Sequence, residues 1–88
     1  MTTTVIDKMT FSDGSSLNHW MTRQGAPTLP EGFRWRLLIN DRRRALPLVT
    51  AQILSGDRLC AEYTEITRVN VAMAAAAAAR YAYEGFTP

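Results

Sequence analysis

The residues whose side chains could perform chemistry are few and lie far apart in the sequence. Cys60 and His19 are the only cysteine and the only histidine of the chain. A metal site needs three or four such ligands at workable spacing, so the sequence predicts none. Cys60 and His19 could form a nucleophile and its base. However, Cys60 falls in the middle of an alternating strand pattern, where cysteine acts as a small hydrophobic residue.

The acidic residues give no catalytic pattern either. All eight are scattered along the chain, whereas acid–base catalysis needs two carboxylates that converge in a pocket. The segment Asp13-Gly14-Ser15-Ser16 contains one glycine but lacks the lysine and the preceding buried strand of a phosphate-binding loop. We therefore expect no catalytic residues, no cofactor and no bound metal, and we predict that the protein is not an enzyme.

Arginine is the residue type in surplus. Nine of the ten basic residues are arginine, while the net charge is only +2. The planar guanidinium suits carboxylates, phosphates and aromatic faces. Two arginines, Arg34 and Arg36, alternate with apolar residues, and a run of three, Arg42, Arg43 and Arg44, follows a few residues later. We take these five residues as candidates for binding a partner.

Three interpretations of this arginine cluster stay open. In the first, Arg34 and Arg36 cover a solvated face of a sheet and pair with Glu62 or Gln52. In the second they contact a protein, and in the third they contact nucleic acid. Alternation sends Trp35 to the opposite face from the arginines, and base stacking needs aromatic and positive groups on one surface. A net charge of +2 is also low for a strong nucleic-acid binder.

A second candidate for binding is a group of aromatic residues near the C-terminus. Tyr81 and Tyr83 are two residues apart, so a helix places them on different sides. At least one of them should therefore be exposed, and tyrosine is frequent among the residues that dominate binding energy. The alternative is that Tyr81, Tyr83 and Phe86 cover the margins of a small core.

The first third of the chain predicts one short helix. The segment from Val5 to Phe11 could be a short strand or an ordered arm, and residues 12–15 have turn chemistry. Ser16 suits a helix N-cap, and Gly25 suits the position that ends the helix. An apolar face with i, i+3, i+4 spacing lies between them, formed by Leu17, Trp20 and Met21. Two prolines in residues 26–30 then predict a stiff connector.

The middle of the chain predicts three strands that form an antiparallel meander. Residues 33–39 alternate between apolar and basic positions. The second strand should begin after Pro47 and run over 48–54. Residues 55–57 then form a hairpin loop, and a third strand follows over 58–64. In that strand the inward residues should be Leu59, Ala61 and Tyr63, and the outward residues Cys60, Glu62 and Thr64.

The last element is an alanine-rich helix. Six consecutive alanines, 74–79, have the highest helix propensity available, and their small side chains allow the helix to approach a sheet closely. Thr64 or Thr67 could cap its start. The helix should continue to Glu84, with Gly85 as the residue that ends it.

These elements predict an α+β fold with a three-stranded antiparallel meander, the C-terminal alanine-rich helix across one face, and a short N-terminal helix. The 88 residues suggest a single domain, with 1–30 as arm, short helix and linker and 31–88 as sheet plus helix. The start of the chain lacks a signal-peptide pattern, and the single cysteine fits a reducing compartment. We therefore expect a cytoplasmic protein without a membrane span.

From Phe33 to Glu84, the meander, the Ser55-Gly56-Asp57 loop and the alanine-rich helix resemble the anti-CRISPR-like inhibitors, small proteins of phages and mobile elements. The resemblance is architectural and carries over no residue. It implies a protein that binds a partner stoichiometrically, such as a host defence complex, and occupies its working surface. We expect a protein partner, with binding residues Arg34, Arg36, Arg42, Arg43, Arg44, Tyr81 and Tyr83. The alternatives are a small nucleic-acid-binding protein and a structural or homo-oligomeric phage component.

Overall fold

The computed structural model describes residues 2–7 and 16–88, and the fold is α+β, as predicted. Four antiparallel strands form one sheet in the order β1-β2-β3-β4, and two helices accompany it. The strands are β1 (Thr2–Asp7), β2 (Phe33–Asp41), β3 (Leu48–Ser55) and β4 (Arg58–Ile66). The helices are α1 (Leu17–Arg23) and α2 (Val71–Glu84). Within the described residues neither helix is long and apolar enough to cross a bilayer.

The prediction of three strands is wrong, because β1 adds a fourth. It pairs with β2 in a register that runs from Thr2 opposite Asp41 to Asp7 opposite Arg36. β1 is rich in β-branched residues, which favour strands, but Thr2 to Val5 are exposed. It therefore lacks the apolar alternation by which a strand is recognised. The predicted segment from Val5 to Phe11 overlaps β1 at its start, and its remainder lies outside the described residues, as does the predicted turn at 12–15.

One face of the sheet carries the core. The alternation of β2 buries Trp35 and Leu37 on this side, and β3 contributes Val49, Ala51 and Ile53, none of which is exposed. α2 covers β3 and β4 with its alanines, of which Ala75, Ala78 and Ala79 have no exposed surface. Because these side chains are single methyl groups, the helix packs against the sheet without intervening bulk.

The short helix α1 is fixed at both ends and on the sheet. Ser16 caps it, as predicted, by accepting a hydrogen bond from the His19 N–H at 3.3 Å, and Gly25 follows it with a φ of 103°. The Asn18 side chain accepts from the Trp35 N–H at 2.8 Å and donates to the Phe33 carbonyl at 3.3 Å. The pairing of β1 with β2 ends at Arg36, so it does not reach the Trp35 N–H and the Phe33 carbonyl. The Asn18 side chain satisfies these two backbone groups instead.

The cap of α2 differs from the prediction. Its N-cap is Asn70, whose side chain accepts from the Met73 N–H at 2.9 Å, and neither Thr64 nor Thr67 has this role. β4 extends to Ile66, and the Thr67 N–H donates to the Pro47 carbonyl, so the chain turns into the helix later than predicted. The helix ends at Glu84, as predicted, but Gly85 has a φ of −89° and is not left-handed.

A bulge changes the facing of residues at the start of β4. Ile53 pairs with Ala61, whereas Leu54 pairs with Leu59, so Cys60 is an extra residue in the strand. Cys60 is half-buried and packs against the core, while Leu59 is 43% exposed. The predicted facings of these two residues are therefore wrong. Tyr63 is 43% exposed, because β4 is the last strand of the sheet.

Candidate functional site

Arg34 lies on the sheet face opposite the helices and binds within its own chain. Its Nε and Nη2 atoms donate to the two carboxylate oxygens of Asp7 at 3.1 and 3.2 Å. Its Nη1 donates to the Gly56 carbonyl. The side chains of Arg34 and Asp7 are only 20% and 25% exposed. Arg34 therefore fastens β1 to β2 and reaches the β3–β4 hairpin loop.

Arg36 continues this arrangement across the sheet. Its Nε donates to Gln52 at 2.7 Å, and the Gln52 amide donates to Glu62 at 3.0 Å. Its Nη1 also lies 4.0 Å from Asp7. Gln52 is only 6% exposed, so its two hydrogen bonds satisfy a buried amide. The pairing of Arg36 with Gln52 agrees with the interpretation of a solvated, self-paired face, and Glu62 joins the network through Gln52.

The arginines after β2 divide into one that binds its own loop and two that are exposed. Arg42 donates from Nε and Nη2 to the Leu46 carbonyl at 2.9 and 2.6 Å. Arg43 and Arg44 are exposed, and Arg44 has a left-handed φ of 62°. The five candidate arginines thus do not form one free basic surface. Only Arg43 and Arg44 extend their charges into solvent without such a contact.

A different surface, on the helix side of β4, carries exposed apolar side chains. Tyr63 of β4 and Tyr81 of α2 stack with ring centroids 4.8 Å apart and an interplanar angle of 33°. They are 43% and 49% exposed. Each ring therefore packs on the other and keeps nearly half of its residue's surface exposed.

A groove of about 360 Å³ lies farther along the same line between β4 and α2. Its lining is mostly apolar and consists of Glu65, Ile66, Arg68, Val69, Met73, Ala74 and Ala77. Val69 and Met73 are 73% and 58% exposed beside this groove. On α2, Met73, Ala77 and Tyr81 are spaced by four residues and lie on one side, with the small Ala77 between two larger side chains. We call this surface, formed by Tyr63, Glu65, Val69, Met73, Ala77 and Tyr81, the β4–α2 seam.

The second candidate tyrosine, Tyr83, lies away from the seam. Its ring is 5.7 Å from that of Phe86, which in turn packs edge-on against Phe33 at 4.9 Å. Phe33 and Phe86 pack against the core, so Tyr83 covers the margin of the core, although 37% of it is exposed. The two tyrosines thus lie on different sides of α2, as their spacing predicts.

The charges along β4 follow a simple order. Glu62 and Glu65 lie in its second half, while Arg58 begins the strand and Arg68 follows it. None of these four residues forms an ion pair within the described part of the chain. No described strand pairs with the outer edge of β4. The seam therefore borders an open strand edge, on which Glu62 and Glu65 point to opposite faces of the sheet.

The sequence interpretation named Tyr81 but missed the rest of the seam. The sequence signal that could have identified these residues is the four-residue spacing of Met73, Ala77 and Tyr81, which places them on the same side of a helix. The alanine run hides this stripe, because alanine fits both a buried and an exposed face. The contribution of Tyr63 could not be found from the sequence, since alternation places it with the inward residues.

No cluster of three or more histidine, cysteine or acidic residues that could hold a metal occurs in residues 2–7 and 16–88. His19 is exposed, and Cys60 packs against the core with its Sγ 3.7 Å from the Arg58 carbonyl. Neither is placed in the seam. Comparisons with protein-family models, with curated proteins and with solved structures give no significant match to this chain.

Proposed function

We propose that this chain is a non-enzymatic protein-binding module that acts by stoichiometric contact through the β4–α2 seam. The observation that carries the proposal is the continuous exposed apolar line of the seam, in which Tyr63, Tyr81, Val69 and Met73 are each at least 43% exposed. These are four of the eight large apolar residues exposed in the described chain, and their position beside an apolar groove is a feature of interaction surfaces.

The side chains of the seam suit binding. Tyrosine and methionine are enriched at protein interfaces, because they offer large contact areas and adapt to a partner. The rings of Tyr63 and Tyr81 already pack against each other within the chain. Less conformational entropy is therefore lost when a partner covers the two rings.

The arginine surface supports a protein partner less directly. Arg34, Arg36 and Arg42 hydrogen-bond within the chain, so contact with a partner would have to compete with existing bonds. Arg43 and Arg44 remain as an exposed basic turn that could steer a partner by long-range attraction. Of the five candidate arginines only these two remain to contact nucleic acid, and two residues neutralise few phosphates.

The biological setting we propose follows the architectural resemblance stated above. A phage-borne inhibitor of a host defence complex, acting in the cytoplasm, would need a small, stable domain with one binding surface and no chemistry. In this setting the binding surface would be the β4–α2 seam, where four large apolar residues are exposed.

The proposal is tested by two titrations of the purified chain. Fluorescence anisotropy with labelled single- and double-stranded DNA and RNA should show only weak binding that disappears at physiological salt. The immobilised chain should retain a protein from nuclease-treated bacterial lysate, and the amount retained should saturate as more lysate is added. Tight nucleic-acid binding that persists at physiological salt, with no retained protein, would contradict the proposed function.

A further inference from the structure

We infer that, in the absence of another partner, a second copy of the chain covers the β4–α2 seam, with the two α2 helices packed antiparallel about a two-fold axis at Ala77. The inference rests on the proposed function, because it uses the same surface, and it adds a regulation, since a partner must displace the second copy. Three features carry it: the pattern of side chains along α2, the charges at the ends of α2, and the exposed area of the seam.

The first feature is the symmetric pattern of side chains along α2. Met73 and Tyr81 are 58% and 49% exposed, and each lies four residues from Ala77, which is small and partly exposed. In a two-fold contact, each residue that touches a second residue is touched by it in return. An antiparallel copy centred on Ala77 therefore makes the contact between Met73 and Tyr81 twice, and contacts of a thioether with an aromatic ring are favourable. The two alanines at the axis allow the helices to approach closely.

The second feature is the charge at the two ends of α2. The first turn of the helix contains no acidic residue, and Arg68 lies two residues before the cap, Asn70. Glu84 is the last residue of the helix, where the helix dipole makes a carboxylate unfavourable. Glu84 and Arg68 are exposed, and neither forms an ion pair within the described part of the chain. Because Glu84 and Asn70 are each seven residues from Ala77, the antiparallel contact brings Glu84 of one copy to the positive end of α2 in the other.

The other charges beside this side of α2 do not oppose the contact. Glu65 lines the groove, and its carboxylate accepts a hydrogen bond from the Ile66 N–H at 3.1 Å. Arg80 is exposed on α2, one turn before Glu84. Together with Arg68 and Glu84, these residues supply two charges of each sign, so two copies meet along α2 without net repulsion.

The third feature is the exposed apolar area, which matches one side of an ordinary dimer interface. A tyrosine offers about 150–250 Å², so Tyr63 and Tyr81, at 43% and 49% exposure, each leave roughly 100 Å² uncovered. Val69 and Met73 bring the exposed apolar area of the seam to about 400 Å². A standard interface buries about 800 Å² on each partner, of which about 57%, or about 450 Å², is apolar. The seam therefore has the area that one folded copy covers, and the symmetric pattern on α2 specifies a copy of this chain.

The test is sedimentation velocity of the full chain between ~5 μM and ~1 mM, where an interface of this size should give a dimer with a Kd on the order of 1–100 μM. Ala77→Glu places two carboxylates at the axis and should raise this Kd at least ~10-fold, and Ala77→Lys should do the same with two ammonium groups. Ala72→Glu is the matched control, because Ala72 is also partly exposed but lies about 140° around the helix from Ala77. The Kd of this control should stay within about threefold of the wild type.

A mixture of two variants tests the position of the axis and shows that both variants fold. Equimolar Ala77→Glu and Ala77→Lys chains should associate at least ~10-fold more tightly than either chain alone, because opposite charges then meet at the axis. A wild-type chain that stays monomeric up to ~1 mM, an Ala77→Glu chain that associates like the wild type, or a mixture that does not associate would overturn the inference.

Retention of a protein from lysate separates this inference from the proposed function. If the wild-type chain stays monomeric and still retains a protein through Tyr81, the proposed function stands and the dimer is wrong. If the chain dimerises about Ala77 and retains no protein, the inference stands and the proposed function fails. If the chain neither dimerises nor retains a protein, both fail.

Discussion

Arg34 should act as a stabilising residue of the fold and not as a contact for a partner. The perturbation is a double-mutant cycle of Arg34→Met, which keeps much of the apolar stem, and Asp7→Ala. Both guanidinium–carboxylate hydrogen bonds, at 3.1 and 3.2 Å, are lost in either single variant. The cycle isolates their coupling from the other contacts of the two side chains.

The magnitude follows from the exposure of the pair. Fully exposed ion pairs contribute about 0.2–1 kcal/mol, and hydrogen bonds to buried charged groups about 1.5–3 kcal/mol. Arg34 and Asp7 are 20% and 25% exposed, which places them between these limits. We expect a coupling of about 1–1.5 kcal/mol. An 88-residue domain has a free energy of unfolding of about 4–13 kcal/mol, so this pair should be a measurable part of it.

The assay is urea unfolding, followed by the fluorescence of Trp20 and the buried Trp35, for the wild type, both single variants and the double variant. Arg58→Met is the matched control, because Arg58 is exposed at the start of β4, and it should change the free energy of unfolding by less than about 0.5 kcal/mol. A coupling below about 0.3 kcal/mol for the Arg34–Asp7 pair would refute the reasoning. It would mean that Arg34 is free to serve a partner.

Two further predictions concern the helices. Ala78 has no exposed surface, so Ala78→Leu should lower the free energy of unfolding by about 1–3 kcal/mol through overpacking. Ala77 lines the open groove, so Ala77→Leu should change the free energy of unfolding by less than about 1 kcal/mol. Equal losses for the two variants in urea unfolding would contradict the assigned faces of α2. Asn18→Ala should cost about 1–3 kcal/mol, because the Trp35 N–H loses its acceptor and the Phe33 carbonyl loses its donor. Thermal unfolding checks this loss, and a change below about 0.5 kcal/mol would be inconsistent with it.

The sequence predicts the strongly patterned elements and misses what depends on neighbours in space. β2 and the hairpin at Gly56 follow from local alternation and turn chemistry, and the α2 end at Glu84 follows from its propensity and glycine. Only the second half of β1 is anticipated, as a possible short strand from Val5, because its threonines are exposed and give no apolar alternation. The bulge at Cys60 also escapes, since a one-residue shift in pairing leaves no trace in composition.

The candidate site shows the same division. The spacing of Tyr81 and Tyr83 predicts that they lie on different sides, and the pairing of Arg36 with Gln52 could be anticipated from strand alternation. The bond between Arg34 and Asp7 could not, because it spans the pairing of β1 with β2. The seam exists because α2 packs beside Tyr63 of β4, and local sequence patterns do not predict where a helix packs on a sheet.

The most direct test of the proposed binding surface compares two variants in their affinity for the protein retained from lysate. One changes the seam, Met73→Ser with Tyr81→Ser, and the other changes the basic turn, Arg43→Ser with Arg44→Asn, where asparagine tolerates the left-handed φ. We predict that the seam variant loses at least ~10-fold in affinity, while the turn variant stays within about threefold at physiological salt. A large loss in the turn variant together with an unchanged seam variant would contradict the account.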